Sequence, residues 1–374
     1  MVSRYYNDLQ EILRDNKVLI IYGPRRVGKT TLIHLLLEKT NLKFKIDSGD
    51  NIRTRNVLTS EDFKLIKEYA EGYELIVIDE AQNIPGIGQG LKIMSDQISE
   101  LKLIATGSSS FNIKQKVGEP LTGRKKEIIL FPLSQMELNA YYNRYELKDQ
   151  LNNILVFGSY PEIYTAEKIK EKIELLQELV DSYLLKDILG FERLKSPMQL
   201  INLLKLLAFQ VGHEVSVNEL ADKVGLNVRT VARYIELLEK GFVIYRLGAY
   251  SKNLRKEITK KSKYYFYDNG VRNGIIMQFN SLDMRNDAGQ LWENFLMSER
   301  LKYLSYKKIF ANRYFWRTYQ QKELDYIEEI NGKLYAYEYK FSKKEAKIPP
   351  EFQKVYEVEG FRTINKDNYL DFLI

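Results

Sequence analysis

The sequence predicts an α/β protein that begins with a parallel sheet and continues through a helical region, a winged helix-turn-helix and a second α/β domain. Three observations predict this order. A short apolar run, Val18 to Tyr22, precedes a glycine-rich turn and an amphipathic helix. Residues 216–247 have the spacing of a helix-turn-helix followed by a strand. Near the carboxyl end, strand-like runs flank Asn331-Gly332, a dipeptide typical of tight hairpin turns.

The composition limits the classes of protein to which the chain can belong. Its 374 residues are enough for two or three domains, each with its own hydrophobic core. The absence of cysteine excludes disulfide bonds and thiolate metal sites and agrees with a cytoplasmic location. No apolar run approaches the roughly 18 to 20 residues that cross a bilayer, so we expect no membrane contact. The net charge of +7 is modest, so a nucleic-acid surface would need local clusters of basic residues.

The turn after the first strand matches G-x-x-x-x-G-K-[ST], a pattern that wraps phosphate groups. Nine residues are predicted to contact the nucleotide: Gly23, Pro24, Arg25, Arg26, Val27, Gly28, Lys29, Thr30 and Thr31. The glycines let backbone N–H groups surround phosphate oxygens, and the helix start carries partial positive charge. Lys29 is expected to reach the β- and γ-phosphates, and the Thr30 hydroxyl to ligate Mg²⁺. Arg25 and Arg26 are either phosphate contacts or exposed charges. The pattern predicts ATP and Mg²⁺ as cofactors.

A second strand, "ELIVIDEAQ" at residues 74–82, ends in Asp79-Glu80. A continuous apolar run is typical of a buried parallel strand whose carboxyl end meets the ligand. Asp79 is expected to hold Mg²⁺ through water, and Glu80 to position and deprotonate the attacking water. Another candidate strand, residues 42–47, lies between the phosphate loop and this strand in the sequence.

Arg124, in "LTGRKKEIILFPLS", is a candidate catalytic residue. Phosphoryl transfer is accelerated by an arginine that neutralises charge in the transition state. The residue follows a glycine and precedes a strand-like run, so it could act within its own chain or reach the site of a neighbour. The second arrangement would require a homo-oligomer. A solvated surface arginine is the alternative.

The segments "GPRRVGKTTL", "LIVIDEAQ", "ATGSSS", "LTGR" and "FGSYPEI" resemble a widespread prokaryotic family of AAA-type ATPases related to the archaeal ATPases. The resemblance covers nearly the whole chain. It implies a P-loop ATPase core followed by a winged helix and a restriction-endonuclease-like domain. It also implies that a hydroxyl in "ATGSSS", which we assign to Ser108, senses the γ-phosphate.

The predicted domain boundaries follow these motifs. The expected parts are an ATPase core at residues 1–136, a helical lid at 137–196, a winged helix at 197–262 and an endonuclease-like domain at 263–374. The lid region is predicted from apolar residues at helical spacing, as in "IELLQELVDSYLLKDIL".

The helix-turn-helix has features that favour contact with DNA or RNA. Gly225 can adopt the left-handed turn between the helices, and four polar residues lie near the exposed start of the second helix: Asn227, Arg229, Thr230 and Arg233. Residues 251–263 then carry six basic side chains and one acidic side chain, which suits a wing that follows phosphates. Winged helices also serve as interdomain or dimer contacts, and this alternative stays open.

The carboxyl-terminal hairpin places acidic residues against each other. A two-residue turn at Asn331-Gly332 predicts that Asp325 faces Glu338 and that Glu323 faces Lys340. With Glu293 on a preceding helix, this arrangement resembles the PD-(D/E)xK nuclease pattern, although Leu324 stands where the classical motif has proline.

The resemblance implies a metal site formed by Glu293, Asp325 and Glu338. Carboxylates that share Mg²⁺ turn their repulsion into coordination. Lys340 would orient water as the nuclease-site lysine, or would only balance the carboxylates.

The sequence therefore predicts an ATP-hydrolysing switch or motor whose later domains engage nucleic acid or another macromolecule. The alternatives are an ATP-gated, metal-dependent nuclease and a nucleotide-dependent protein-binding scaffold with an inactive nuclease fold.

Overall fold

The computed structural model describes residues 2–13, 18–98, 100–107, 121, 123–181, 197–251, 261–342 and 344–374. These residues form two compact units. The first unit comprises Ser3–Phe131 and Lys240–Phe242, and the second comprises Pro132–Glu239 and Val243–Ile374. The four-part division expected from the sequence stays a prediction. In the part of the chain described here, no helix combines the length and apolarity that a membrane span needs.

The first unit is built on a five-stranded parallel sheet, which confirms the predicted fold class for this part. The strands are β1 (Val18–Tyr22), β2 (Phe44–Ser48), β3 (Leu75–Asp79), β4 (Lys102–Gly107) and β5 (Lys125–Ile129). Their order in the sheet is β2-β3-β4-β1-β5. The helices are α1 (Leu9–Leu13), α2 (Lys29–Leu37), α3 (Ile52–Thr59), α4 (Phe63–Ala70) and α5 (Ile87–Gln97), with a 3₁₀ turn at Ala81–Asn83.

The position of each strand in this sheet follows from its apolar pattern. Strands β1 and β3 are nearly continuous runs of Val, Leu and Ile and are buried on both faces, as expected of central parallel strands. Strand β2 is an edge strand, and Phe44 and Ile46 stay about 40% exposed there. Strand β4 lies between β1 and β3. Since all three are parallel, their carboxyl ends lie side by side along one edge of the sheet, the edge formed by strand ends.

The second unit begins with helices and then alternates helices with strands. Its helices are α6 (Gln135–Leu138), α7 (Arg144–Phe157), α8 (Pro161–Thr165), α9 (Ile169–Leu179), α10 (Pro197–Phe209), α11 (Val217–Val224), α12 (Val228–Lys240), α13 (Asn269–Ile275), α14 (Ala288–Tyr306), α15 (Pro350–Gln353) and α16 (Leu370–Leu373), with a 3₁₀ turn at Leu282–Met284. Its strands are β6 (Glu214–Val215), β7 (Ile244–Ala249), β8 (Ser262–Phe266), β9 (Asn312–Arg317), β10 (Glu323–Ile330), β11 (Lys333–Tyr339) and β12 (Gly360–Ile364).

These strands form one sheet in the order β12-β11-β10-β9-β7-β8-β6. Strands β6, β8 and β7 are antiparallel neighbours that flank the α11–α12 pair in the sequence. Strand β7 also pairs in parallel with β9, which joins these strands to those of the hairpin. Gly225 separates α11 from α12 and has the predicted left-handed conformation, with φ 67°.

The hairpin of β10 and β11 confirms the predicted register. The pairing runs from Tyr326–Tyr337 to Ile330–Lys333. Asn331 and Gly332 have φ values of 51° and 78°, as a type I′ turn requires at both central positions. On its other side, β10 shifts register against β9 between Leu324 and Ile327, so Asp325 lies at an irregular part of the strand.

The "FGSYPEI" segment at residues 157–163 has a packing role in the second unit. The Ser159 backbone N–H donates to Asp268 Oδ2 at 2.7 Å, and Asp268 Oδ1 accepts from the Val271 N–H at the start of α13. Gly158 has φ 77°, and a Cβ there would lie 1.9 Å from Asp268 Oδ1. Glycine is therefore required for this carboxylate to join the segment to α13.

Candidate functional site

The phosphate loop stands at the carboxyl end of β1, where the backbone needs unusual conformations. Gly23, Arg26 and Gly28 have φ values of 149°, 57° and 89°. A Cβ on Gly23 would lie 2.1 Å from the Leu130 carbonyl oxygen, so no other residue fits this close approach. Helix α2 begins directly after Gly28 and directs its first N–H groups toward the loop.

Two cationic side chains donate hydrogen bonds to carbonyl oxygens of the loop. Lys29 is only 7% exposed, and its Nζ donates to the carbonyl oxygens of Gly23 at 3.0 Å and Pro24 at 2.7 Å. Arg4 donates from Nη1 to the Val27 carbonyl oxygen at 2.7 Å. Arg4 was not found from the sequence, because nothing in its local pattern relates it to the loop. The predicted loop cations Arg25 and Arg26 are half-buried and exposed, respectively.

The structure brings Thr30 and Asp79 together, as predicted. The Thr30 hydroxyl donates to Asp79 Oδ2 at 2.9 Å. Thr106, at the end of β4, donates its hydroxyl to Asp79 Oδ1 and accepts from the Glu80 N–H at 3.3 Å. A hydroxyl and a carboxylate this close supply two of the oxygen donors that Mg²⁺ prefers, so these residues fit that ion.

Among the described residues of "ATGSSS", Thr106 places a hydroxyl against the site. Ser108, the predicted sensor, lies outside the described residues, so its role stays a prediction. Thr106 is fully buried at the end of a central strand, and that position could have identified it in the sequence.

Glu80 has a strained backbone. Its φ and ψ are 48° and 40°, a left-handed conformation that costs a residue other than glycine about 1–3 kcal/mol and occurs often at functional sites. The buried Gln82 side chain donates to Glu80 Oε2 and restrains the carboxylate. A Cβ on Gly49 would lie 2.2 Å from the Glu80 carbonyl oxygen, so the neighbouring loop also closes on this residue.

Arg124 lies at the opposite edge of the sheet from the phosphate loop. Its carbonyl oxygen accepts from the N–H of Val18, the first residue of β1, whereas the loop follows the last residue of that strand. The strand spans roughly 13 Å from its first to its last Cα. Arg124 Nε instead contacts Asp96 at 3.0 Å. This placement does not bring Arg124 to the phosphate loop of its own chain. Its action on the site of a neighbour stays a prediction, with a solvated surface arginine as the alternative.

The four candidate nucleic-acid contacts divide into two pairs. Asn227 Oδ1 accepts from the Thr230 N–H at 2.8 Å and from its hydroxyl at 2.9 Å, so this pair caps the start of α12. Arg229 and Arg233 are exposed and lie four residues apart on one face of the helix. Residues 252–260, which include most of the predicted wing, lie outside the described residues.

The carboxylate cluster consists of Glu293 on α14, Glu323 and Asp325 on β10, and Glu338 on β11, together with the cations Lys263 and Lys340. Asp325 Oδ2 accepts from the Tyr339 N–H at 2.8 Å. Burial raises the pKa of Asp325 well above its usual range, and the negative charges of Glu293 and Glu338 raise it further. Lys340 Nζ contacts Glu338 Oε1 at 2.7 Å.

One predicted contact in this cluster is wrong. Glu323 does not pair with Lys340 but with Lys263, at 2.5 Å. Lys263 also contacts Glu293 Oε1 at 3.2 Å, and the Tyr265 hydroxyl donates to the same oxygen at 2.6 Å. Lys263 and Tyr265 are two residues apart on β8, and this alternation was the only sequence signal that they share a face.

The cluster as placed does not fit a metal ion. Across the described residues, no group of three or more His, Cys, Asp or Glu side chains is arranged to hold one. Glu293, Asp325 and Glu338 therefore lie near each other without forming the predicted ligand set.

Comparisons with known proteins divide the chain into three matched regions. Residues 15–139 match the AAA domain family. Residues 148–282 and 288–368 match two domains of unknown function, DUF8612 and DUF4143. The winged helix and the endonuclease-like domain stay predictions.

Similar proteins occur in bacteria and archaea. An uncharacterized protein of Mycobacterium tuberculosis is 25% identical over 337 residues, which cover 89% of this chain and 72% of that protein. An uncharacterized protein of Methanocaldococcus jannaschii is 25% identical over 399 residues, which cover 96% of this chain and 87% of that protein. Among solved structures, a Walker-type ATPase of Pyrococcus abyssi matches with a TM-score of 0.47 and 15% identity, over 72% of this chain and 93% of that chain.

The region that matches the AAA domain contains the phosphate loop, Asp79, Glu80 and Thr106. Its parallel sheet places the loop, the acidic pair and the threonine at one edge. This part of the chain is similar to the AAA domain family and has the phosphate loop and parallel sheet of a P-loop ATPase.

Proposed function

We propose that the protein hydrolyses Mg²⁺-ATP and uses this reaction as a switch or motor on nucleic acid or another macromolecule. The observation that carries the proposal is the contact between the Thr30 hydroxyl and Asp79, with Thr106 on the other carboxylate oxygen. This arrangement joins the phosphate loop to the acidic strand end through groups that suit Mg²⁺ and its water ligands.

Each residue of the site has a defined task in this proposal. The loop N–H groups bind phosphate oxygens, and Lys29 exchanges its carbonyl acceptors for the β- and γ-phosphates. Thr30 and Asp79 hold Mg²⁺, which neutralises charge on the phosphates when bound. Thr106 fixes the orientation of Asp79.

Glu80 orients the attacking water and accepts its proton. Gln82 competes for the same carboxylate, because its amide already donates to Glu80 Oε2. The strained backbone of Glu80 fixes the direction in which the side chain leaves the strand. The general base is therefore held by the protein before the nucleotide arrives.

The decisive experiment is ATP hydrolysis by two variants. Lys29→Ala should lose nucleotide binding and hydrolysis together, because the phosphates lose their cation. Glu80→Gln should still bind ATP but hydrolyse it at least about 100-fold more slowly, because the general base is gone. Lys64→Ala is the matched control, since this lysine is 87% exposed on α4. Hydrolysis at the normal rate by Lys29→Ala would contradict the proposal.

We place the contact with nucleic acid on α12. The exposed Arg229 and Arg233 can neutralise phosphates, while the cap made by Asn227 and Thr230 fixes the start of the helix. The sequence of α10, β6, α11, α12, β7 and β8 supports a winged helix, in which the second helix of the pair is the recognition helix.

This contact is tested by titrating DNA and RNA at several salt concentrations. The double variant Arg229→Ala/Arg233→Ala should bind more weakly, and the slope of log K against log salt should fall by about 2 for duplex DNA. Lys223→Ala on α11 is the control, since Lys223 is already paired with Glu219 at 2.7 Å. If the affinity for DNA and RNA changed neither with salt concentration nor in the double variant, the protein-binding scaffold would be favoured.

Arg124 is proposed to complete the site of a neighbouring copy in a homo-oligomer. Its place at the opposite edge of the sheet from the phosphate loop supports this role over an action on its own chain's nucleotide. Mixing Arg124→Ala with Glu80→Gln should restore hydrolysis, because some mixed interfaces then combine an intact arginine with an intact base. If Arg124→Ala alone hydrolysed ATP at the normal rate, Arg124 would have no catalytic role and would only contact Asp96.

A further inference from the structure

The carboxylate cluster contains a cation that the chain itself supplies. Lys263 is 2% exposed, and its ammonium lies 2.5 Å from Glu323 Oε1 and 3.2 Å from Glu293 Oε1. Its Nζ also lies 5.4 Å from the centre of the Phe315 ring, which closes the site toward β9. The ammonium therefore lies between two carboxylates that come from different secondary-structure elements.

We propose that Lys263 is a permanent internal cation that takes the place of a divalent metal ion, so that the cluster is a metal-free ionic lock rather than a nuclease centre. The lock joins β8, beside the helix-turn-helix, to α14 and β10. This inference does not depend on ATP hydrolysis.

The backbone explains why the ammonium stays in place. Lys263 lies on β8, which has neighbours on both sides, and is paired with Glu214 on β6 and Leu247 on β7. Tyr265, two residues further on, points to the same face and donates to the Glu293 oxygen that Lys263 contacts. Two side chains of one strand therefore hold Glu293.

The three glutamates of the cluster already contact cations of the chain. Lys263 contacts Glu293 and Glu323, and Lys340 contacts Glu338. Arg317 is shared, since it lies 3.7 Å from Glu323 and 3.6 Å from Glu214. The fourth carboxyl, Asp325, is half-buried and accepts from the Tyr339 N–H at 2.8 Å. Although burial opposes it, the charges of Glu293 and Glu323 raise the pKa of Lys263, so the lysine stays protonated.

A divalent ion would be repelled by this arrangement. It would have to enter beside an ammonium that already uses one oxygen each of Glu293 and Glu323. A divalent ion would therefore have to displace Lys263 from Glu293 and Glu323 before it could bind them. The second unit should therefore not cut nucleic acid.

The test is Mn²⁺ binding by the full-length protein in the absence of nucleotide, followed by electron paramagnetic resonance. Lys263→Met removes the ammonium with little change in side-chain length and should gain one Mn²⁺ site per chain, at least about tenfold tighter than any binding by the natural protein. The added Asp325→Asn change should abolish that gain. Failure of a folded Lys263→Met protein to gain Mn²⁺ would overturn the proposal.

Lys302→Met is the matched control. Lys302 is also buried and contacts Glu299 at 2.6 Å, but it lies nine residues beyond Glu293 on the same helix. Its removal should create no Mn²⁺ site, because only one carboxylate loses its cation.

The natural protein gives a second test that does not depend on the folding of any lysine variant. The natural protein and its Asp325→Asn variant should bind the same amount of Mn²⁺. The natural protein should also not cleave DNA or RNA with Mg²⁺ or Mn²⁺. Mn²⁺ binding or cleavage by the natural protein that is lost in Asp325→Asn would overturn the proposal.

Discussion

Lys29 and Lys263 are both almost fully buried, but their partners differ in charge. Lys29 donates to two backbone carbonyl oxygens in the phosphate loop, whereas Lys263 contacts two carboxylates in the second unit. A carbonyl oxygen leaves the positive charge of an ammonium largely uncompensated, and a carboxylate neutralises it. Lys29 can therefore still bind an anionic ligand, whereas the charge of Lys263 is already neutralised by the protein.

The two carboxylates at these sites differ in the same way. Asp79 accepts from the hydroxyls of Thr30 and Thr106 and from the Glu80 N–H, which are neutral donors. Burial of the Asp325 carboxyl raises its pKa, and the nearby charges of Glu293 and Glu338 raise it further. The donors to Asp79 therefore bring no charge that would compete with a metal ion, whereas the surroundings of Asp325 favour its neutral form.

The largest expected difference concerns the stability of the two lysine variants. Lys263→Ala should destabilise the second unit by about 3–5 kcal/mol, because it removes the buried cation that the half-buried Glu293 and Glu323 share. Lys29→Ala should cost about 1 kcal/mol or less, because two carbonyl groups only lose one donor. Urea denaturation followed by circular dichroism measures both. Equal losses of stability would remove the distinction between the two sites.

A smaller effect is expected when one hydroxyl is removed from each site. Thr106→Val should lower kcat for ATP hydrolysis about tenfold, or roughly 1.4 kcal/mol, and raise the Mg²⁺ concentration needed for half-maximal rate. Tyr265→Phe removes the donor to Glu293 and should leave that Mg²⁺ requirement unchanged. Rates measured across a Mg²⁺ titration compare the two. A normal Mg²⁺ requirement in Thr106→Val would show that the threonine serves packing alone.

The smallest effect concerns the pH dependence of stability. Because the pKa of Asp325 is raised on folding, the folded protein binds this proton where the unfolded chain has released it. The free energy of unfolding should therefore fall as pH rises from about 4, the usual aspartate value, toward the raised value.

Asp325→Asn should remove this fall and raise Tm at pH 8, by about 2–4 °C for each kcal/mol gained. The asparagine oxygen can still accept from the Tyr339 N–H. Thermal melts at pH 5 and pH 8 measure the change. A steeper fall of Tm with pH in the variant than in the natural protein would mean that Asp325 is ionised in the fold.

The sequence predicts local backbone geometry well in this protein. The phosphate loop, Asp79 and Glu80 could be found because a glycine pattern and an apolar strand each determine their own geometry. The register of β10 and β11 could be found because Asn331-Gly332 selects one turn type. In these cases, the residues that determine the structure are neighbours in the chain.

The failures concern contacts between residues far apart in the sequence. Lys263 is 60 residues from Glu323, and their contact depends on β8 lying beside β7 in the sheet. The position of Arg124 follows from the pairing of β5 with β1, which no local pattern specifies. The contact of Thr106 with Asp79 depends in the same way on the pairing of β4 with β3.

The parallel pairing of β7 with β9 has a practical consequence for dissecting this protein. A fragment that stopped at residue 262 would lose β8 and β9. Strand β7 would then have unpaired backbone N–H and C=O groups on both sides. Such an edge recruits strands from other molecules, so the fragment should aggregate. Expression of α11 and α12 for binding studies should therefore retain the chain through Ile374.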